Sequence, residues 1–139
     1  MSTAFAIPVR VYYEDTNAGG VVYHANYLKF MERARTELMR ELGFGKDFIF
    51  TSELMFVVQE VDVQYLQPAR LDDELAVTAE PLEIGAAYML MRQSVRRGET
   101  VLAEGTVKIV CVDKHKLNPK RMPATMLVQL RDYSATRRP

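Results

Sequence analysis

The chain has 139 residues, the size of one ordinary domain, so we expect a single domain over residues 1–139. Hydrophobic residues make up 48% and charged residues 26%, which excludes a disordered tail and a coiled-coil rod. The 18 basic residues balance the 18 acidic ones, and the formal net charge is zero. With no overall positive field, we predict no nucleic-acid partner, and an anionic ligand needs a local basic patch.

Cysteine and histidine are scarce in this chain. It contains one cysteine, Cys111, and two histidines, His24 and His115. A single cysteine excludes an intramolecular disulfide and a Cys-rich zinc site. Two histidines with one cysteine supply few of the ligands that a metal site needs. We therefore predict neither a metal site nor a cofactor.

The N-terminal segment lacks the basic start and the long apolar run of a signal peptide. No apolar stretch is long enough to span a bilayer, so the sequence predicts a cytoplasmic protein without a membrane span. A domain of this size buries only about two thirds of its unfolded surface. Because several segments are apolar on both faces, we also expect a homo-oligomer.

The first predicted elements are a short strand and one long helix. Alternating apolar residues predict the strand over residues 8–13, and the polar, glycine-rich segment 14–20 predicts a turn. Apolar residues then recur at helical spacing over residues 25–42, and Gly43 is placed to end the helix. At ~1.5 Å per residue this helix is roughly 27 Å long, enough to be covered on one side by a sheet.

Four strands are predicted after the helix, over residues 61–68, 75–81, 88–95 and 101–112. Residues 107–112 are nearly all apolar, so we expect this stretch in the centre of the sheet. A short helix is predicted over residues 124–130. Consecutive strands joined by short turns pair antiparallel, so the order predicts an α+β fold in which an antiparallel sheet wraps around one long helix.

The polar segment directly before the long helix is the first candidate site. Its Gly19 and Gly20 let a substrate approach the backbone closely. The first N–H groups of a helix have no internal partner and carry partial positive charge, so the amides of residues 23–26 suit an oxyanion. Local chemistry alone favours equally a turn with an Asx-capped strand exit.

Residue types exclude several other sites. Asp15, Asn17 and Gly20 match part of a calcium-loop pattern, but its twelfth position is Asn26 rather than Glu. No Gly-Lys-Ser/Thr follows the glycines, and no Gly-x-Ser-x-Gly is present, so a P-loop and a hydrolase elbow are absent. Cys111 lies in an apolar strand and is interpreted as a packing residue.

The segment Tyr13–Tyr27, followed by Phe30–Arg35, resembles the hotdog-fold acyl-CoA thioesterases related to 4-hydroxybenzoyl-CoA thioesterase, in particular the branch associated with the Tol-Pal envelope proteins. The similarity extends through Phe56–Val58, Tyr65–Asp73 and Val110–Asp113. The resemblance implies a hotdog fold, a five-stranded antiparallel sheet around a central helix. It also implies dimers with a joined sheet, often paired into tetramers, and an acyl thioester bound at the dimer interface.

The resemblance also implies roles for individual residues. In the family, an Asp in the turn before the helix is the nucleophile or general base, and a backbone amide at the helix start polarises the thioester carbonyl. On this chain the amide is that of His24, and the side chains of His24 and Tyr13 occupy positions tied to activity. The substrate then lies along the backbone of Gly19, Gly20, Val21, Val22 and Tyr23.

The Asp position of the family falls on Asn17 in this chain. An amide has the shape of a carboxylate but not its basicity, so it orients water without accepting a proton. Three explanations remain open: an engineered Asp-to-Asn change, a natural variant in which Asp15 or His24 is the base, or a protein that binds without hydrolysis.

The two main hypotheses are therefore an acyl-CoA thioesterase and a non-hydrolytic module that binds acyl-CoA or acyl carrier protein. A scaffold for lipid-synthesis enzymes is a third, without support from the neutral charge. The CoA phosphates need cations, and a local basic cluster is formed by Lys114, Lys116, Lys120 and Arg121. The alternative interpretation of this cluster is a solvated basic tail.

Overall fold

The structure is a computed structural model that describes residues 4–45 and 53–137. Its elements are β1 (Phe5–Arg10), α1 (His24–Glu41), β2 (Leu54–Tyr65), β3 (Glu74–Ile84), β4 (Tyr88–Arg97), β5 (Thr100–Asp113) and α2 (Ala124–Arg137). A single turn of 3-10 helix, Tyr13–Asp15, lies between β1 and α1.

The five strands form one antiparallel sheet in the order β1-β3-β4-β5-β2. This confirms the predicted sheet and the α+β class. The strand β5 is interior, paired with β4 on one side and β2 on the other, which explains its nearly continuous apolar sequence. The sheet's central strand is β4, however, because β1 adds to the far side of β3.

The helix α1 packs its apolar stripe against β1, β3 and β4. Its buried positions recur every three or four residues, as the spacing predicts: Tyr27, Phe30, Met31, Ala34, Arg35, Leu38 and Met39. The helix ends where Gly43 adopts φ +97°, and the N–H groups of Gly43 and Phe44 donate to the carbonyls of Arg40 and Met39. This is the glycine-dependent helix end that the sequence predicts.

Several predicted boundaries were wrong. The first strand ends at Arg10 rather than at residue 13, because the chain turns into the 3-10 turn. The strand β3 continues beyond Pro81 to Ile84, since a bulge after Pro81 accommodates the missing N–H. The helix α2 has 14 residues, twice the predicted segment. The sequence also predicts a loop over residues 45–52, and this segment lies largely outside the described residues.

The strand β2 lies at the edge of the sheet and is longer than predicted, with 12 residues. Its side chains are mostly exposed, including the apolar Val58 (47% exposed) and Val61 (42%). An edge strand with exposed apolar side chains has the features of a strand that pairs with another chain. Among the described helices, none is long and apolar enough to cross a membrane.

Candidate active site at the start of the long helix

The segment before α1 folds into a tight hairpin. Thr16 and Val22 pair as an isolated antiparallel bridge, and the Asn17 N–H donates to the Val21 carbonyl at 2.9 Å. Two residues after this bridge the chain enters α1. The hairpin formed by residues 16–22 therefore holds residue 17 beside the segment that leads into the first turn of the helix.

Asn17 is exposed at the tip of this hairpin, and its side chain has a defined orientation. Its Oδ1 accepts a hydrogen bond from the Gly19 N–H at 2.9 Å, an Asx turn, and its carbonyl accepts from the Gly20 N–H at 3.0 Å. Gly20 has φ +78°, a conformation that glycine adopts without strain. This Asx turn lies within the glycine-rich segment before the helix, where the structural interpretation of the sequence predicts one.

The hairpin is anchored to the loop that precedes β3. The Val22 N–H donates to the Ala69 carbonyl at 2.9 Å, and the Leu71 N–H donates to the Gly20 carbonyl at 3.1 Å. The Ala69 N–H in turn donates to the hydroxyl of Tyr27, a buried residue of α1, at 2.9 Å. These bonds fix the hairpin relative to both the helix and the sheet.

Asp15 is buried, with 7% of its surface exposed. One carboxylate oxygen accepts from the Tyr12 N–H at 2.9 Å, and the other accepts from Asn26 Nδ2 at 3.0 Å. Its carbonyl accepts from the Tyr23 N–H at 3.1 Å. The buried carboxylate thus joins Tyr12 to Asn26, whereas Asn17 is exposed.

His24 is the first residue of α1, and its side chain is exposed. The N–H groups of His24 and Ala25 lie in the first helical turn, where no earlier helical carbonyl is available to accept from them. The helix dipole adds partial positive charge at this end. These two amides have the orientation and charge needed to bind a carbonyl oxygen that becomes negative during a reaction.

Tyr65, at the end of β2, contacts this helix start and was missed as a site residue in the sequence. Its hydroxyl donates to the His24 carbonyl at 3.2 Å, and its ring lies 6.2 Å from the His24 ring and 5.3 Å from the Tyr27 ring. Burial, with a smaller contribution from Tyr27, raises the pKa of Tyr65, so it remains a donor at neutral pH. The sequence signals for this role are its place at the end of an alternating strand and at the start of Tyr65–Asp73, a segment that carries the family resemblance.

The other predicted aromatic residues of the site are exposed. The Tyr23 ring lies 4.4 Å from the His24 ring, and half of the Tyr23 surface is accessible. Tyr13 is 81% exposed. Most of the Tyr13 side chain is therefore accessible to solvent within one protomer.

The basic cluster of Lys114, Lys116, Lys120 and Arg121 is exposed in the segment between β5 and α2. Lys120 Nζ lies 3.8 Å from carboxylate oxygens of both Glu53 and Asp113. Hydrogen bonds from the N–H groups of Lys116 and His115 lower the pKa of Asp113. Two acidic groups therefore neutralise part of the cluster's charge.

The basic cluster and the helix start lie at opposite ends of β2. The Lys114 N–H donates to the Glu53 carbonyl, next to the first residue of β2, whereas Tyr65 at its last residue contacts His24. A strand of 12 residues at about 3.3 Å per residue spans roughly 35 to 40 Å. One protomer does not bring the predicted phosphate-binding residues to the predicted reaction centre.

Two further residues have structural places. Cys111 is fully buried, and burial raises the pKa of its thiol, which is the packing role the sequence predicts. Asp73 accepts hydrogen bonds from the Arg70 N–H and from Arg97, both at 2.8 Å.

Within the described ranges, no three His, Cys, Asp or Glu side chains are grouped to hold a metal ion.

Comparison with known proteins decides the family. A model described as the thioesterase-like superfamily matches residues 11–130, which include the hairpin, α1 and all of β2 to β5. The chain belongs to the thioesterase-like superfamily. The matched region begins at the first residue after β1 and ends within α2.

Individual relatives of this thioesterase-like chain are similar over nearly their whole length. It is 42% identical over 131 residues to the acyl-CoA thioester hydrolase YbgC of Escherichia coli, covering 94% of this chain and 98% of the relative. It is 46% identical over 124 residues to the acyl-CoA thioesterase YbgC of Haemophilus influenzae, covering 88% and 91%. The crystal structure of a probable thioesterase from Bartonella henselae superposes with a TM-score of 0.80 at 32% identity, covering 87% of this chain and 100% of that one. The fold is that of the hotdog thioesterases.

Proposed function

We propose that this chain is an acyl-CoA thioesterase, which hydrolyses the thioester of acyl-CoA to a free acid and CoA. The observation that carries the proposal is the hairpin of residues 16–22 beside the first turn of α1, in a member of the thioesterase-like superfamily. Relatives at 42% and 46% identity are named acyl-CoA thioester hydrolase and acyl-CoA thioesterase. The site needs no metal and no cofactor for this reaction.

The helix start supplies electrostatic stabilisation. The thioester carbonyl accepts from the His24 N–H, and the charge that develops on its oxygen is stabilised by this amide and the helix dipole. Water attacks the carbonyl carbon, the carbon–sulfur bond breaks, and CoA leaves as a thiol after receiving the proton of the attacking water. Removing one such donor typically costs about 3 kcal/mol of transition-state stabilisation.

The side chains near the hairpin have separate roles in the reaction. Asn17, held outward by its Asx turn, orients the water or the thioester, and the exposed imidazole of His24 takes the proton when residue 17 is an amide. Asp15 is a positioning residue, because both of its carboxylate oxygens already accept hydrogen bonds inside the loop. Tyr13 reaches substrate from the exposed side of the hairpin, and Gly19, Gly20, Val21, Val22 and Tyr23 form the backbone along which the substrate lies.

A homo-oligomer completes the site in this proposal. The exposed apolar edge of β2 pairs antiparallel with β2 of a second copy. A two-fold axis near the middle of β2 then places the basic cluster of one copy beside the helix start of the other. The two groups of residues come together in the dimer, although roughly 35 to 40 Å of β2 separates them within one copy. The CoA phosphates bind the second copy's basic cluster, and two such dimers form a homotetramer. The cytoplasm, where acyl-CoA is made, is the proposed location.

The test is release of free CoA from a short and a long acyl-CoA, for the native chain, Asn17→Asp and His24→Ala. Under the proposal Asn17→Asp exceeds the native chain by about 10²-fold, since a base is added where the amide only orients. His24→Ala loses the residual activity of the native chain. An inactive Asn17→Asp protein that is folded contradicts the proposal.

The basic cluster has a separate test. Charge reversal by Lys116→Glu with Arg121→Glu raises KM for acyl-CoA and leaves KM for an acyl-pantetheine, which lacks the nucleotide phosphates, unchanged. Arg131→Glu, an exposed change on α2, is the matched control. Equal effects on the two substrates contradict phosphate binding at the cluster.

A second candidate rests on one observation, the amide at residue 17. A non-hydrolytic module binds acyl-CoA or acyl carrier protein through the same helix start without a base. Saturable binding of acyl-CoA by both the native chain and Asn17→Asp, with no release of CoA by either, favours this candidate over hydrolysis.

A further inference from the structure

We propose that Asn17 is a modification site, at which the side-chain amide hydrolyses in the folded protein and leaves an aspartate. This inference rests on the proposed function for its consequence, because the new carboxylate lies where the thioesterase site needs a base. The conversion itself is a property of the hairpin of residues 16–22. It makes the chain as translated a slow form and the converted chain the active form.

The hairpin presents the Asn17 amide for attack. The side chain is exposed, and its Oδ1 accepts the Gly19 N–H at 2.9 Å, which draws electron density from Cγ. The next residue, Ala18, is also exposed and carries only a methyl group, so its backbone nitrogen is sterically accessible. Ala18 lies outside the helices and strands, and no backbone carbonyl of the described residues accepts a hydrogen bond from its N–H.

The chemistry needs only water. The Ala18 nitrogen loses its proton and forms a bond to Asn17 Cγ, and the bond from Cγ to Nδ2 breaks, so ammonia leaves. Water then opens the five-membered ring at either carbonyl and restores the peptide as aspartate or its β-linked isomer. Overall, one amide and one water become one carboxylate and one ammonium ion, without oxidation or reduction.

The two other asparagines provide internal controls. Asn26 lies in α1, where its Nδ2 donates to Asp15 at 3.0 Å, and the helical backbone holds its neighbour's nitrogen in place. Asn118 precedes Pro119, whose nitrogen has no proton to lose. Asn17 is therefore the one asparagine of the chain's three with an outward amide and an accessible following N–H.

Of the two products, the α-linked aspartate fits the surroundings of Asn17. A carboxylate oxygen accepts the Gly19 N–H as the amide oxygen does, and a charge-assisted bond of this kind is shorter and stronger. The hairpin therefore keeps its shape, while the side chain gains the basicity that an amide lacks. Conversion adds negative charge at the exposed tip, next to the positive end of α1.

The experiment follows freshly purified protein in water enriched in oxygen-18. Samples taken over days are digested after lysine and arginine. Fragment ions of the peptide 11–29 locate any label at residue 17 or residue 26, and the peptide 117–120 reports label at residue 118. CoA release is measured on the same samples, and Asn17→Gln, Asn17→Asp and a sample in urea run in parallel. An encoded or pre-existing aspartate carries no label, so the isotope reports only conversion during the incubation.

Label that enters residue 17 ahead of residues 26 and 118, with CoA release rising in proportion to the labelled α-linked aspartate, is the expected result. No label at residue 17 while Asn17→Asp is active overturns this inference and leaves the thioesterase proposal standing. Label at residue 17 with an inactive Asn17→Asp protein overturns the activating role and the thioesterase proposal together. Labelling no faster than at residue 118, or activity that rises without label, also contradicts the inference.

Discussion

Asp15 and Asn26 are joined by a side-chain hydrogen bond of 3.0 Å, from Asn26 Nδ2 to a carboxylate oxygen of Asp15. The bond connects the loop that follows β1 to the first turn of α1, across eleven positions of the chain. Because the other Asp15 oxygen accepts the Tyr12 N–H, one buried carboxylate holds both sides of the loop that carries the candidate site.

Asp15→Ala is expected to destabilise the protein by about 1–3 kcal/mol, because it leaves Asn26 Nδ2 and the Tyr12 N–H without their acceptor. Urea unfolding of both proteins measures the difference. Glu14→Ala, at the exposed neighbouring position, is the control and is expected to change stability by at most about 0.5 kcal/mol. Equal effects of the two changes would contradict the bridging role of Asp15.

Tyr65→Phe tests the bond from Tyr65 to the His24 carbonyl. That carbonyl belongs to the same peptide as the Ala25 N–H, so losing the bond frees the orientation of the second of the two amides at the helix start. We expect kcat for CoA release to fall about fivefold, the equivalent of about 1 kcal/mol, with little change in KM. Tyr88→Phe, whose ring contacts Lys108 rather than α1, is expected to leave kcat unchanged.

Arg35 and Gln93 form a buried polar pair between α1 and β4. Arg35 Nη1 donates to Gln93 Oε1 at 2.9 Å, and Gln93 Nε2 donates to the Met31 and Thr78 carbonyls. Burial lowers the pKa of Arg35, with the charge of Glu32 acting in the opposite direction. The guanidinium therefore depends on Gln93 for a buried acceptor.

A double-mutant cycle measures this dependence. Arg35→Met and Gln93→Leu are each expected to destabilise, because each leaves a buried polar group without its partner. The double variant is expected to lose about 1–3 kcal/mol less than the sum of the two single losses. Strict additivity in urea unfolding would show that the two side chains do not act as a pair.

The lowered pKa of Asp73 predicts that the stability of the protein decreases at acid pH. Burial acts to raise its pKa, but hydrogen bonds from the Arg70 N–H and Arg97, together with their charges, hold it below the usual value. A carboxyl group whose pKa is lowered by folding stabilises the protein above its unfolded pKa, and this stability is lost as the pH falls through the folded pKa.

Asp73→Asn is therefore expected to be less stable than the native chain at pH 7, and the gap is expected to shrink as the pH falls below about 4. Urea unfolding of both proteins at pH 7 and at pH 3 measures the difference in their free energies of unfolding. Glu99→Gln, in the exposed β4–β5 turn, controls for the loss of one carboxylate. A gap that stays constant down to pH 3 would show that the charge of Asp73 makes no contribution.

Local patterns in the sequence were sufficient for the elements near the site. The apolar period of α1, its end at Gly43 and the glycine-rich turn before it depend on contacts between residues a few positions apart. The segment Tyr13–Tyr27 is continuous in sequence, so its turn and the nearby helix start were predicted together. The class of fold followed from the order of these elements, and the amide at residue 17 is visible in the sequence itself.

Only the tertiary structure decided which of these residues face the site. Asp15 and Asn17 are two positions apart, yet one is buried by a bond to α1 and the other is exposed at a hairpin tip. The place of the basic cluster follows from the register of β2 with β5, which sets Leu54 against Asp113 and Tyr65 against Ala103. Strand register and loop orientation arise from contacts between distant residues, and alternation of apolar side chains carries no information about which distant residue is opposite.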